Sequence, residues 1–330
     1  MTVSIIIPVY NVAPYIVRCL QSVTSQTFKD IECILVDDCG NDASIELAQE
    51  FITNYHGSIK FSIVHHEHNC GLAAARNSGI RNSSGDCLYF LDSDDAIVPD
   101  CIETLIFLLQ QHPDSSFVQG NYLDEENHLG PYAFHKDIPQ YTDEKKIIDN
   151  IILCQIVTSS CNRLLSKKFV VENNLFFPEG ILHEDLFWVY FLAKHTHSAS
   201  FTYKGLYIYY KNEGSIVNST SNETRIKRYS SRLFGAKYYL KDMLYNGSTL
   251  YQRQFFAVNL TSCLVELGAI KSFIHWSKFW YFTLSVSLKC IKKATWNRFL
   301  FLCCLIPPIC FFAHRKNVRW KIQNDILARI

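Results

Sequence analysis

Val3-Ser4-Ile5-Ile6-Ile7-Pro8-Val9-Tyr10-Asn11 opens the pattern that decides the fold: a short β-branched run, ended by Pro8 and the turn-prone Asn11. Pro14 then suits the first turn of a helix reaching about Thr24. The same punctuation recurs downstream. Ile31 to Val36 is a second apolar run, followed by Asp37-Asp38-Cys39-Gly40-Asn41-Asp42. Asp42 or Ser44 can cap the helix that continues through Ile45, Leu47, Ala48 and Phe51. Ile59 to Val64 reads as a third strand, and Gly71 opens an Ala-rich helix to about Ile80. Cys87 to Leu91 is a fourth strand that ends at Asp92-Ser93-Asp94-Asp95. Pro99-Asp100 with Glu103 reads as a capping box ahead of Ile102 to Leu109. Strand alternating with helix, with nearly continuous apolar strands, predicts an α/β fold: a mainly parallel sheet with helices on both faces.

Beyond about Gly120 the regularity fades. A polar loop (Asp124 to Gly130) leads to helical stretches near Glu144-Leu153 and Ser166-Asn173. An aromatic helix follows Glu184-Asp185, and a β-like run spans Phe201 to Tyr210. From about Gly214 the chain reads as helical, rich in Tyr, Phe, Trp, Lys and Arg. The expected organisation is therefore a domain over residues 1–215, with halves at 1–110 and 111–215, and a helical, basic and aromatic extension over 216–330.

The 330 residues are 48% hydrophobic, enough for a packed core. Thirty-two basic and 31 acidic side chains give a net charge of +1. That balance argues against a general nucleic-acid binder, which needs an excess of Lys and Arg to neutralise phosphates. The 13 cysteines show no CxxC pair, and no His pair has HExxH spacing. They read as reduced thiols in a cytoplasmic protein rather than as a disulfide framework or zinc site. The N-terminus lacks a charged segment and a cleavage site, and reads as a strand rather than a signal peptide.

In open α/β sheets, ligands bind outside the carboxyl ends of the strands. Three polar clusters sit at such ends: Pro8-Val9-Tyr10-Asn11, Asp37-Asp38 and Asp92-Ser93-Asp94-Asp95. Taken alone, each acidic cluster reads equally as a turn or a helix cap. Both following buried strands in the same register favours a site. Asp92-x-Asp94 can turn one acid toward a divalent cation and the other toward a ribose or bridging water. Mg²⁺ and Mn²⁺ favour such oxygen donors and share themselves with substrate phosphates. A diphosphate leaving group needs that charge neutralised.

Read together, Ser4 to Asn11, Gln26-Thr27-Phe28 with Glu32 to Asp38, Gly71-Leu72-Ala73-Ala74-Ala75-Arg76-Asn77-Ser78-Gly79, and Phe90-Leu91-Asp92-Ser93-Asp94-Asp95 resemble the family-2 glycosyltransferases. These are bacterial inverting enzymes of GT-A fold. The resemblance is strong over about residues 1–110 and looser to about 215. It implies that Pro8, Tyr10 and Asp38 contact the nucleobase, usually uracil. Asp92, followed by Ser93, lies by the ribose, Asp94 holds the metal that bridges the diphosphate, and Arg76 lies near the nucleotide. His183-Glu184-Asp185 resembles the family's general-base motif, with Asp185 as base and Glu184 orienting it or the acceptor. The plain alternatives are a surface Arg76 and a Glu184-Asp185 pair that only caps a helix. His183 reads as a neighbour, and His65, His66 and His68 as loop residues.

The expected activity is transfer of a single sugar from a nucleoside-diphosphate sugar, UDP-linked, to a lipid-linked saccharide during surface-polysaccharide assembly, with Mg²⁺ or Mn²⁺. No QxxRW-type motif supports a processive enzyme. A sugar-nucleotide nucleotidyltransferase should carry a Gly-rich phosphate loop after the first strand, and Pro8 to Ala13 does not. A non-catalytic sugar-nucleotide binder is disfavoured by the intact Asp92, Asp94 and Asp185. A dehydrogenase is disfavoured because no GxGxxG follows a strand.

In the extension, Trp276, Phe279, Trp280, Tyr281, Trp296, Phe299, Phe301, Phe311, Phe312 and Trp320 alternate with basic residues. Phe299 to Ala313 is apolar but shorter than the roughly 20 residues that span a bilayer, and Pro307-Pro308 interrupts it. Such a segment fits peripheral attachment to an anionic membrane surface; the alternative is a helical subdomain.

Overall fold

The structure, a computed structural model, describes residues 1–130, 132–134, 137–212, 221–270 and 272–290. The described residues form two compact units, one of residues 1–180 with 184–212 and one of residues 181–183 with 221–290.

In the first unit, β1 (Val3–Val9), α1 (Ile16–Thr24), β2 (Ile31–Asp37), α2 (Ser44–Thr53), β3 (Lys60–His65), α3 (Leu72–Asn82) and β4 (Cys87–Phe90) follow in turn. After them come β5 (Ala96–Ile97), α4 (Cys101–Gln111), β6 (Phe117–Leu123), β7 (Tyr141–Thr142) and α5 (Lys145–Asn150), which runs into a π-helical turn at Ile151–Gln155. Finally β8 (Arg163–Ser166), α6 (Lys167–Glu172), α7 (Glu184–His195) and β9 (Ala199–Ile208) complete it. The strands form one sheet in the order β3-β2-β1-β4-β8-β6-β9-β5, with β7 against β9. β1 to β4 are parallel, as the apolar runs predict. The half beyond β4 is mixed, because β8 pairs antiparallel to both β4 and β6, while β6 and β9 run parallel.

Every residue of β1 is buried, polar Ser4 included. Ser4 Oγ donates to Glu32 Oε1 at 2.5 Å, and the same carboxylate accepts from the Ser84 and Gly85 backbone N–H groups. A Ser and a Glu in buried parallel strands are thus accounted for by hydrogen bonds. α1 buries Ile16, Cys19, Leu20 and Val23, the i, i+3, i+4, i+7 stripe of a helix lying on a sheet. The cap expected from Asp42 or Ser44 does not form: Ala43 holds the N-cap position of α2 with no side-chain cap bond, and the two side chains brace the neighbouring loop instead. Asp42 Oδ1 accepts from Ser44 N, while Asp42 Oδ2 and Ser44 Oγ accept from Ala13 N and Val12 N, tying the loop after β1 to α2. The capping box expected at Asp100 and Glu103 does not form. Asp100 pairs with Lys204, and Glu103 accepts from Thr27 Oγ1.

α3 lies close on β1 because position 79 lacks a side chain. A Cβ there would fall 2.2 Å from Ile6 Cγ2. Gly79→Ala should therefore overpack the helix–sheet contact and cost about 1–3 kcal/mol. A urea midpoint equal to the parent's would show that the helix shifts freely.

The second unit holds α8 (Asn222–Asn246), α9 (Leu250–Ile270) and α10 (Phe273–Cys290). Ser221 Oγ caps α8 by accepting from Thr224 N. α8 packs along α9, where the Tyr239 and Phe255 rings meet at 5.5 Å. No helix among the described residues is long and apolar enough to cross a membrane. Trp296, Phe299, Phe301, Phe311, Phe312 and Trp320, with the apolar stretch Phe299 to Ala313, lie outside the described residues.

Candidate active site

Parallel pairing brings the carboxyl ends of β1, β2 and β4 to one edge, and the polar clusters sit there. β1 pairs Val9 with Asp37 on one side and Ile6 with Phe90 on the other. Pro8 is the second-to-last residue of β1, Tyr10 just past the strand is exposed, and Asp38 N donates to Val9 O at 3.0 Å.

Asp38 is buried and nearly saturated. Its Oδ1 accepts from Cys70 N at 2.7 Å and lies 2.7 Å from His66 Nδ1, while Oδ2 accepts from Gly71 N at 2.8 Å. Each carboxylate oxygen accepts about two hydrogen bonds. The second lone pair of Oδ2 is thus left for an incoming N–H. His66 Nε2 lies 2.8 Å from Ser78 Oγ, so the tautomer that donates Nδ1–H to the carboxylate can accept from that hydroxyl. Asp38, His66 and Cys70 bring three possible metal-ligand atoms within 4.8 Å of one another. Two of those atoms already hold each other, and the backbone N–H groups of Cys70 and Gly71 fill most of the carboxylate. The arrangement suits a polar reading group better than a metal centre.

His65 and His66 are not the plain loop residues expected. β2 and β3 pair in parallel with Asp37 opposite His65, so the two histidines straddle the end of β3 as the two aspartates straddle the end of β2. His65 Nδ1 meets Asp37 Oδ2 at 2.9 Å. The paired spacing of Asp37-Asp38 and His65-His66 after successive parallel strands carried that information.

At the end of β4, Asp92, Ser93, Asp94 and Asp95 crowd together. Burial raises the carboxyl of Asp94 above its usual range, and the charge of Asp92 adds to the rise. Asp95 is raised well above it, by burial and then by Asp94 and Asp92. Asp95 accepts from Tyr207 Oη at 2.7 Å and from Tyr210 N at 2.9 Å, which assigns it to holding the end of β9. Asp94 Oδ2 accepts from Asn212 Nδ2 at 3.2 Å, and Arg18 Nη2 donates to Asp94 O. The Arg18 guanidinium lies over the Tyr210 ring, 3.4 Å from its centroid. Arg18, Tyr207 and Asn212 carried no motif: Arg18 comes from α1, and Tyr207 and Asn212 from the end of β9 and the residues just after it.

Arg76 is not a surface residue. Its side chain is 1% exposed and ion-paired to three carboxylates. Nη2 meets Asp92 Oδ1 at 2.9 Å, while Nη1 meets Glu184 Oε1 at 2.7 Å and Asp185 Oδ1 at 3.0 Å. Burial opposes the positive charge, but Asp185, Asp92 and Glu184 outweigh it and raise the Arg76 pKa further. One guanidinium thereby joins the end of β4 to the start of α7. Asn77, the next residue, clamps the same junction. Its Nδ2 donates to Phe177 O and its Oδ1 accepts from Phe177 N.

Glu184 and Asp185 occupy the first turn of α7. Their environments differ: the Glu184 side chain is 8% exposed, that of Asp185 26%. Burial pushes the Asp185 carboxyl up to about 7 against the pull of Arg76, with Glu184 and Asp92 adding to the rise. A carboxylate poised there, open on one side and fixed on the other, can take a proton from a hydroxyl near neutral pH. In the second unit, burial first and then Arg232 and Arg228 lower His183 to about 4, which favours its neutral form.

For a divalent cation, Asp94 fits best. It offers a hard oxygen donor beside a second carboxylate, and its raised pKa comes from burial and like charge that a cation would relieve.

A sequence model described as "Glycosyl transferase family 2" matches residues 4–171. Two curated relatives come from Streptococcus pneumoniae serotype 4. Glycosyltransferase GlyA is 37% identical over 149 residues, covering 45% of this chain and 20% of GlyA. Glycosyltransferase GlyG is 30% identical over 227 residues, 66% of this chain and 73% of GlyG. Staphylococcus aureus TarS, solved over residues 1–349 with UDP-GlcNAc, superposes with a TM-score of 0.59 over 82% of this chain and 84% of that one, at 19% identity. That likeness shows a shared fold. The ordered strand-end clusters, the matching GT-A sheet and a family match over half the chain lead to one conclusion: the chain belongs to glycosyl transferase family 2.

Proposed function

We propose that the protein is an inverting glycosyltransferase. It moves one sugar from a nucleoside-diphosphate sugar, UDP-linked, to a lipid-carried saccharide in surface-polysaccharide assembly, working at the cytoplasmic face of a membrane. The observation that carries the reading is the Arg76 junction, which holds Asp92 on the donor side and Glu184 with Asp185 beside one another through a single side chain.

In this reading Pro8 and Tyr10 flank the base, and the remaining acceptor position on Asp38 takes a base N–H. Asp92 and Ser93 face the ribose, and Asp94 holds Mg²⁺ or Mn²⁺. Asp185 removes the acceptor hydroxyl proton as that oxygen attacks the anomeric carbon. The bond from that carbon to the diphosphate oxygen breaks, the diphosphate keeping the electron pair, so configuration inverts in one displacement. The metal supplies charge neutralisation for that leaving group. Glu184 holds Arg76, and through it the position of Asp185.

The test combines a donor screen with one variant. Nucleotide-sugar hydrolysis should depend on Mn²⁺, with UDP-sugars preferred. In Asp94→Ala, calorimetry should show that Mn²⁺ no longer tightens UDP binding, in a protein with unchanged circular dichroism. Undiminished Mn²⁺-dependent affinity in that variant would remove Asp94 from the metal site.

A further inference from the structure

The outward face of α10 is built the wrong way round for water. At 100° per residue, Phe273, Ile274, Trp280 and Tyr281 fall within an arc of about 120°. All four are open, at 86%, 63%, 53% and 75% exposure. Ser277 lies inside the same arc and Lys278 at its edge, both exposed. The opposite side carries the packing, with Phe279 and Phe282 buried and the Tyr229 hydroxyl donating to the His275 carbonyl at 3.0 Å. Residues that the sequence groups as one aromatic set are thus divided by the helix. Phe279 belongs to the core of its unit, whereas Trp280 and Tyr281 point away from it.

Single exposed apolar residues need no explanation, but a contiguous aromatic face does. The charge around it narrows the choice. Between Glu266 and Asp325 the sequence contains ten Lys or Arg and no Asp or Glu. A protein face complementary to this stretch would have to be acidic, and the rest of the sequence holds 22 Lys or Arg against 31 Asp or Glu. A second copy presenting the same face would oppose one acid-free segment to another and is disfavoured by like charge, and one presenting an acidic face is distinguished by its sedimentation-velocity mass. An anionic lipid surface meets both features, since it attracts Lys and Arg and accepts Trp, Tyr and Phe at the headgroup boundary. α10 spans only 18 residues, about 27 Å, and is not long and apolar enough to cross a membrane.

We propose that α10 lies in the plane of an anionic membrane, with Phe273, Ile274, Trp280 and Tyr281 inserted among the headgroups and Lys278 at the waterline. This rests on the membrane-surface reading above and names the side chains that make the contact.

The experiment uses the full chain and two vesicle compositions, phosphatidylcholine alone and phosphatidylcholine with phosphatidylglycerol. Co-sedimentation should be strong only with the anionic vesicles and should weaken with salt, because the charge part is screened over about a Debye length. The triple variant Phe273→Ser, Trp280→Ser, Tyr281→Ser should partition on the order of a hundredfold less, since three large apolar side chains no longer leave water. Its circular dichroism and its donor hydrolysis should match the parent, because these exposed positions lie apart from the strand-end carboxylates in sequence and in unit. Equal binding by parent and triple variant would overturn the proposal and move the contact to residues 291–330. Binding by neither would overturn it too. So would a triple variant that differs only in its sedimentation-velocity mass, which would identify a second copy as the occupant. Vesicle binding is read independently of donor turnover, so an inactive protein that still binds anionic vesicles through this face would refute the enzymatic reading and leave the surface in place.

Discussion

Asp185→Asn should lose about 10²–10⁴-fold in turnover, the usual contribution of a positioned general base, or roughly 3–5 kcal/mol of barrier. Binding of the donor nucleotide should be retained, since the substitution leaves the strand-end groups of β1, β2 and β4 in place. The parent carries a pH signature that the variant should lack. Burial raises the Asp185 carboxyl to about 7, and only the ionised form can accept a proton. Below that value kcat/KM should fall about tenfold per pH unit as the base is protonated, and above it the rate should level off. In Asp185→Asn the residual rate should show no such limb. A variant with near-parental turnover on a verified acceptor would reassign the base. Glu184 would then be the next carboxylate to test, although it sits deeper and is held at 2.7 Å by Arg76.

The parallel half of the fold was legible because its signals are local. Buried parallel strands read as apolar runs, and each one here ends in a Pro, Asn or Asp cluster that also begins the site. Asp38, Asp92 and Asp94 could therefore be placed at one edge without any knowledge of long-range contacts. The mixed half was less legible. β8 (Arg163–Ser166) is four residues long, and its pairing to β4 and β6 is decided by tertiary packing rather than periodicity. The same limit hid the partners of the site. Asn212 reaches Asp94 across 118 positions, and Arg76 reaches Glu184 across 108. Nothing in the sequence of α3 distinguishes a helix Arg that faces water from one buried against carboxylates. The run Ala73 to Ala75 is compatible with close approach of the helix to the sheet, but it does not by itself mark Arg76 as buried.

Arg76 is where fold and chemistry are hardest to separate, and its removal should show both. Arg76→Met fills the volume but leaves Asp92, Glu184 and Asp185 facing one another without a cation. Breaking a buried pair by deleting one partner costs about 3–5 kcal/mol, and the solvent access of Asp92 and Asp185 places this case near the lower end. The loss should grow with pH. Without the guanidinium, whose charge pulls the Asp185 carboxyl down against burial, that carboxyl titrates still further above the value of about 4 that it has in the unfolded chain. Stability then falls as pH rises through the window between those values, because the unfolded state releases protons that the folded state retains. Urea unfolding at pH 5 and pH 8 should therefore give a larger deficit against the parent at pH 8. Arg76→Lys separates the two roles. It keeps one positive charge and restores part of the stability, but a single ammonium cannot reproduce the forked contacts to Asp92 on one side and to Glu184 with Asp185 on the other. Turnover in Arg76→Lys should stay well below the parent even where folding has recovered, with kcat reduced more than donor affinity, because the base is no longer held. A lysine variant with parental kcat would mean that Arg76 contributes charge alone and that the positioning of Asp185 comes from α7 itself.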